Sequence, residues 1–193
     1  MPPKVKTTRE AIVRVATEIV REHGDAALNA RSIADALGCS TQPVFSNFAS
    51  MEAVRLAVVE VAHTLYSEAS EREVAEGKYP SYKAKGMAYI RFAREERELF
   101  KLLFMRDRAR TGAGAEDDDW EKLVGFVGGY VGIEATSAEL FHMEMWAFVH
   151  GIASMIATGY VELEEELISR MLTDAFLGLK KRFAEVENGC HQS

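Results

Sequence analysis

Asp25 to Leu56 is the stretch that most restricts what this chain can become. Apolar residues recur there at helical spacing, but each run is cut short by a turn residue. Asn29 can cap a helix that turns Ile33, Ala34 and Leu37 inward. Gly38 supplies a tight turn, Ser40 can cap the next helix, and Pro43 falls in that helix's first turn, where its missing N–H does no harm. Ser50 caps a long fourth helix in which Val54, Val58, Val61 and Leu65 keep the period, ended by Gly77 to Pro80. Two short helices around a glycine turn predict a helix-turn-helix, and with it a DNA-binding function.

The segment ahead of it is also helical. Thr7-Thr8-Arg9-Glu10 reads as a capping box, Ile12, Val15, Ala16, Ile19 and Val20 form one apolar face, and Gly24 is a stop. Five further helices are expected over about 81–95, 97–108, 117–131, 137–158 and 162–186, with a mobile loop from Ala109 to Asp118. Thr136-Ser137-Ala138-Glu139 is a second capping box, and Lys180, Lys181 and Arg182 are placed in the last turns of the final helix. The fold class is therefore all-α, with a helix-turn-helix DNA-binding domain over 1–50 and a larger helical domain over 51–193, to which the resemblance given below assigns ligand binding and dimerisation.

Net charge of -7 argues against nucleic acid until its distribution is read. Residues 1–50 hold six Lys or Arg against five Asp or Glu, a net of +1, while the remainder holds 17 against 25, a net of -8. The acid is kept off the segment that would meet DNA. No leader with an apolar core opens the chain, and the most apolar run, Leu140 to Ala157, is interrupted by His142, Glu144 and His150. It reads as a buried helix, so a cytoplasmic protein without a membrane partner is expected. Cys39 and Cys190 give no bridging framework. Reduced thiols are expected, with Cys39 buried.

On the third helix, Thr41, Gln42 and Phe45 can reach base edges. Gln pairs with adenine, and Thr or Phe can meet a thymine methyl. Arg31, Ser40, Ser46 and Asn47 are candidates for phosphate contacts, and Lys4, Lys6 and Arg9 form a basic arm. Further along, Tyr66, Met87, Phe100, Phe104, Trp120, Phe126, Met143, Trp146 and His150 could line a cavity for a small apolar or amphipathic ligand, although core packing is the simpler reading of any one of them. His142 and His150 stand eight residues apart, too far to share a metal ion, and Glu116 to Asp119 reads as an acidic helix start. Gly125, Gly128, Gly129 and Gly132 lack the Lys-Ser/Thr of a phosphate loop and suggest close helix contact. No nucleophile, base and orienting group come together, so neither an enzyme nor a cofactor is expected.

Residues 8–56 resemble the DNA-binding domain of the tetracycline-repressor (TetR) family of bacterial regulators. Ile33-Ala34, the Gly38-Cys39-Ser40 turn, Val44-Phe45 with Phe48, and Glu52 carry the likeness, with Trp146-x-x-x-His150-Gly151 resembling a later signature. The chain has Phe45, Asn47 and Met51 where that family usually has Tyr, His or Tyr, and Lys. The resemblance implies a ligand-responsive regulator, a repressor in the main, that binds a palindromic operator as a homodimer. It also implies dimerisation through the last two long helices, here 138–158 and 162–184, and a lever role for the helix that starts after Ser50. The alternative is a helical small-molecule-binding or interaction protein with a vestigial helix-turn-helix.

Overall fold

The computed structural model describes the backbone of residues 7–105 and 117–190, and the side chains of 7–105 and 121–185. Lys4, Lys6, most of the expected 109–118 loop, Glu116, and the side chains of Trp120 and Cys190 lie outside these residues. Among the described residues there is no strand. The helices are α1 (Arg9–His23), α2 (Ala30–Leu37), α3 (Gln42–Asn47), α4 (Met51–Glu76), α5 (Ser81–Glu95), α6 (Arg97–Phe104), α7 (Asp117–Val131), α8 (Ala135–Ala157) and α9 (Glu165–Cys190). They divide between two compact units, one formed by residues 1–69 and 95–106, the other by 70–94 and 107–193.

The first unit holds α1 to α3, the first part of α4, and α6. Its interior is built from Ile12, Ala16 and Val20 of α1, Ile33 of α2, Val44 of α3, Phe48, Val54 and Val58 of α4, and Leu99 and Phe100 of α6, all buried. α6 arrives from far along the chain and is held against α1, where Arg21 Nε donates to Glu96 Oε2 at 2.8 Å.

The helix starts follow local chemistry. Thr8, one residue later than the expected cap, accepts the Ala11 N–H at 3.2 Å. Asn29 forms a full capping box with Ser32, whose hydroxyl takes the Asn29 N–H at 3.1 Å. Gly38 adopts φ +63°, a left-handed turn that ends α2 at little cost only for glycine. Ser40 does not cap α3. The residue ahead of that helix is Thr41, already in helical geometry and making no side-chain cap, so the turn runs straight into the helix. Pro43 lies in its first turn and Ser50 accepts the Ala53 N–H at 3.2 Å, both as expected. Cys39, expected to be buried, is half-buried, because it sits in the turn just past Gly38.

The second unit holds the end of α4, α5, α7, α8 and α9. Val127, Ile133, Ala138, Phe141, Met145 and Phe183 form one buried cluster. Gly128 permits close approach, since a Cβ there would meet the Ile133 carbonyl oxygen at 3.4 Å, whereas Gly125 and Gly129 face open space. α8 starts at Ala135 with Glu134 ahead of it and no side-chain cap, so Thr136-Ser137-Ala138-Glu139 does not open the helix. The backbone amides of Gly132 and Ile133 both return to the Gly128 carbonyl, at 2.9 and 3.2 Å, which ends α7 and leaves no room for a longer connection. By length and composition alone α8 could cross a membrane, yet one side of it, including Phe141, His142, Met145 and Ile152, is buried in this unit. Lys180, Lys181 and Arg182 are not in the last turn of α9. Phe183 packs edge-on against Phe141 with centroids 5.5 Å apart, and the helix continues to Cys190.

Candidate nucleic-acid interface and helical-domain site

α3 has six residues and buries one of them, Val44, completely. Phe48, at its end, is also buried. With the inward side used, Ser40, Thr41, Gln42, Phe45 and Ser46 are exposed, as is Arg31 on α2. Phe45 leaves 54% of its surface to solvent, an unusual state for a phenylalanine that has no apolar partner to meet. Gln42 and Phe45 are three residues apart and share one side of the helix.

The remaining candidates are engaged within the unit. The Ser46 hydroxyl donates to the Gln42 carbonyl at 3.0 Å. Asn47 is half-buried, and its Nδ2 donates to the Pro43 carbonyl at 2.8 Å, with the Thr7 carbonyl 3.5 Å away. Arg9 does not extend as an arm: Nη1 donates to the Asn47 carbonyl at 3.2 Å, and its guanidinium carbon lies 4.0 Å from the Phe48 ring centroid.

The expected cavity residues are divided. Tyr66, Phe100 and Phe104 belong to the first unit, where Phe104 packs edge-on against Tyr66 at 5.2 Å and tilted against Phe100 at 5.1 Å. Met87, Phe126, Met143, Trp146 and His150 belong to the second. Met87 is buried there, while Met143 and Trp146 are 45% and 38% exposed. Trp146 and His150 stack with centroids 5.0 Å apart at 11°. Phe126 stacks on Tyr130 at 5.8 Å and 9°, and both rings face solvent.

Two tyrosines that sequence reasoning missed organise this unit. Tyr82 Oη lies 2.8 Å from His142 Nδ1, and Tyr89 Oη lies 2.8 Å from His150 Nδ1. The pairs ascend α5 and α8 together, so these helices run parallel, and the seven- and eight-residue spacings are the one signal that could have linked them. Burial pushes the His142 ring down to about 4 and pushes the Tyr82 phenol up. The pair is therefore neutral at physiological pH, and a ring protonated on Nε2 accepts the phenol proton at Nδ1.

A charged chain was likewise not foreseen. Glu73, 2% exposed, pairs with Arg91. Arg91 also reaches Glu165 at 3.2 Å, and Lys78 meets the same carboxylate at 2.9 Å. The Lys78 hydrogen bond holds the Glu165 carboxyl below its ordinary range. A shallow depression beside it is lined by Lys78, Tyr79, Glu165, Glu166, Ser169 and Arg170, none of them a sequence candidate. Among the described residues no group of three or more His, Cys, Asp or Glu is gathered closely enough to hold a metal ion.

α8 presents a second exposed row. Leu140, Met143, Ala147 and Met155 lie along one side of it, with Gly151 facing open space between them. Leu167 and Leu177 are exposed on α9, where Gly178 is also open.

Residues 82–175 match the family model described as tetracyclin repressor-like, C-terminal domain. The chain is similar in fold to the crystal structure of a TetR-like transcriptional regulator from Rhodococcus sp. RHA1, at 14% identity and TM-score 0.68, over 92% of this chain and 96% of that one. No curated protein matches it. Residues 82–175, just under half of the chain, are thus similar to a tetracyclin repressor-like C-terminal domain, and they follow an N-terminal helix-turn-helix.

Proposed function

We propose that this protein is a TetR-family, ligand-responsive transcriptional repressor of the cytoplasm, binding a palindromic operator as a homodimer. The observation that carries the reading is the exposed side of α3. Its buried side is filled by Val44, yet Thr41, Gln42 and Phe45 stay in solvent, with hydrogen-bonding groups and one aromatic ring on the side that a major groove would meet. Ser40 and Arg31 flank that side as phosphate contacts, which position the helix without reading sequence, while the Ser46 hydroxyl is turned to the Gln42 carbonyl. Residues 1–50 supply the DNA-binding part and 51–193 the ligand-binding and dimerisation part.

The second copy is placed against α8 and α9. An apolar row of Leu140, Met143, Ala147 and Met155, interrupted by the small Gly151, suits a dry helix-on-helix contact about a two-fold axis. The ligand is placed in the second unit, with Met87, Phe126, Trp146 and His150 as its apolar and polar contacts. Ligand binding would change the spacing of the two recognition helices, about 34 Å apart when they fit successive major grooves. By linkage, DNA then weakens ligand binding by the same factor that ligand weakens DNA binding.

Titration of duplex affinity against salt tests the reading. Each phosphate contact contributes a log-log slope of about -0.9, so a repressor loses affinity steeply as salt rises. Affinity indifferent to salt, or a chain that stays monomeric at micromolar concentration, contradicts it and favours the vestigial helix-turn-helix.

A further inference from the structure

α3 is too short to hold its own shape: an isolated six-residue helix does not form in water, and its last carbonyls have no partners inside the helix. Three contacts gather at its C-terminal end. Arg9 Nη1 donates to the carbonyl of Asn47, the final residue of α3, at 3.2 Å. The same guanidinium lies over the ring of Phe48, 4.0 Å from its centroid, and Phe48 is 3% exposed and therefore fixed. The Asn47 amide turns back to the Pro43 carbonyl at 2.8 Å, with the Thr7 carbonyl, just ahead of α1, 3.5 Å away. A cation at a helix C-terminus also complements the helix dipole.

We infer that Arg9 and Asn47 form a clasp that sets the orientation of α3, so that they are positioning residues for sequence reading and not contacts to the DNA backbone. This rests on the DNA-binding reading above. The Asn47 amide nitrogen is engaged by the Pro43 carbonyl, and Arg9 uses Nη1 and the face of its guanidinium on the end of α3 and a buried ring, which is what a positioning role requires. Holding α3 at one angle lets Gln42 and Phe45, on its other side, meet the same base edges each time, and preorganisation of this kind affects matched sites far more than unmatched ones.

The test uses the full-length protein, a duplex selected by the wild type from a random-sequence library, and a scrambled duplex of the same length. Arg9→Gln and Arg9→Lys are each expected to weaken binding to the selected duplex about tenfold, the loss of one exposed cation–π contact together with a charge-assisted hydrogen bond. Affinity for the scrambled duplex and the salt slope stay as in the wild type. Lysine does not rescue, because it keeps the charge but not the planar fork. Asn47→Ala gives the same split and carries the comparison if Arg9→Gln melts below the assay temperature. The clasp is overturned if Arg9→Gln weakens both duplexes alike, lowers the salt slope by about one contact and is rescued by lysine, the signature of a phosphate contact. Unchanged affinity for the selected duplex overturns it as well. Failure of the underlying reading shows separately: the wild type then retains no duplex from the library.

Discussion

α3 and α8 each leave one side in solvent, and the chemistry of the two sides is opposite. On α3 the exposed residues are Thr41, Gln42, Phe45 and Ser46, three hydrogen-bonding side chains around one ring. On α8 they include Leu140, Met143, Ala147 and Met155, with almost no hydrogen-bonding capacity. A surface that offers donors and acceptors suits a wet, charged partner, and a surface that offers only methyl and thioether groups suits a dry one. Their supports differ in the same sense. α3 depends on a clasp and one buried valine, while α8, with 23 residues, buries a full side against its own unit.

The largest expected effect tests the buried side of α8. Phe141 is fully buried in the cluster with Val127 and Met145, so Phe141→Ala should cost about 3–5 kcal/mol of stability in chemical denaturation. Trp146→Ala on the same helix, at 38% exposure, should cost markedly less in dilute protein. Equal losses would mean that Trp146 is buried in the assembled molecule, which would move it from ligand contact to dimer interface.

The next effect is a pH dependence confined to the second unit. His142 falls from 6.5 in the unfolded chain to about 4 when folded. Between these values the unfolded state binds the extra proton, so stability rises with pH through the window and is lost as pH falls from 6.5 towards 4, by about 3 kcal/mol at most. Melting curves of the wild type and His142→Gln across that range check it. The variant should lose most of the dependence, and an equally steep profile in both would assign the titration elsewhere.

Much of this contrast was open to a reader of the sequence, but unevenly. The helix-turn-helix was legible because its signals are local: Asn29, Gly38 and Pro43 each fix backbone within a few residues, and the structure shows all three in those roles. The caps at Ser40 and Thr136 misled for different reasons: Thr41, ahead of α3, is already helical and makes no side-chain cap, whereas α8 begins earlier than expected, after the extended Glu134, and leaves Thr136 inside its first turn. Which face of α8 turns inward was not legible, since both faces are apolar and period alone cannot separate them. The Tyr82–His142 and Tyr89–His150 pairs, and the Glu73–Arg91 pair, join residues on different helices, which no local rule anticipates.

Smaller effects sharpen the α3 side. Gln42→Ala should cost about 1–3 kcal/mol on a matched duplex and relax preference at one position of each half-site, whereas Arg31→Ala should weaken all sequences alike. Selection from random duplexes separates them, and an unchanged motif with Gln42→Ala would move the reading side elsewhere. Smallest of all is Arg182→Ala. It removes an exposed pair with Glu144 at 2.9 Å, and its cost in thermal melting should stay within about 1 kcal/mol. A larger loss would show that this pair is covered by a second copy.

Sequencing the fragments that the purified protein retains from a random duplex library tests the central claim most directly. A dimer that reads DNA through α3 enriches one motif with two-fold symmetry, its half-site centres about 10 base pairs apart or a multiple of that spacing, and loses it as salt is raised. Recovery of no motif, or of one without two-fold symmetry, contradicts it.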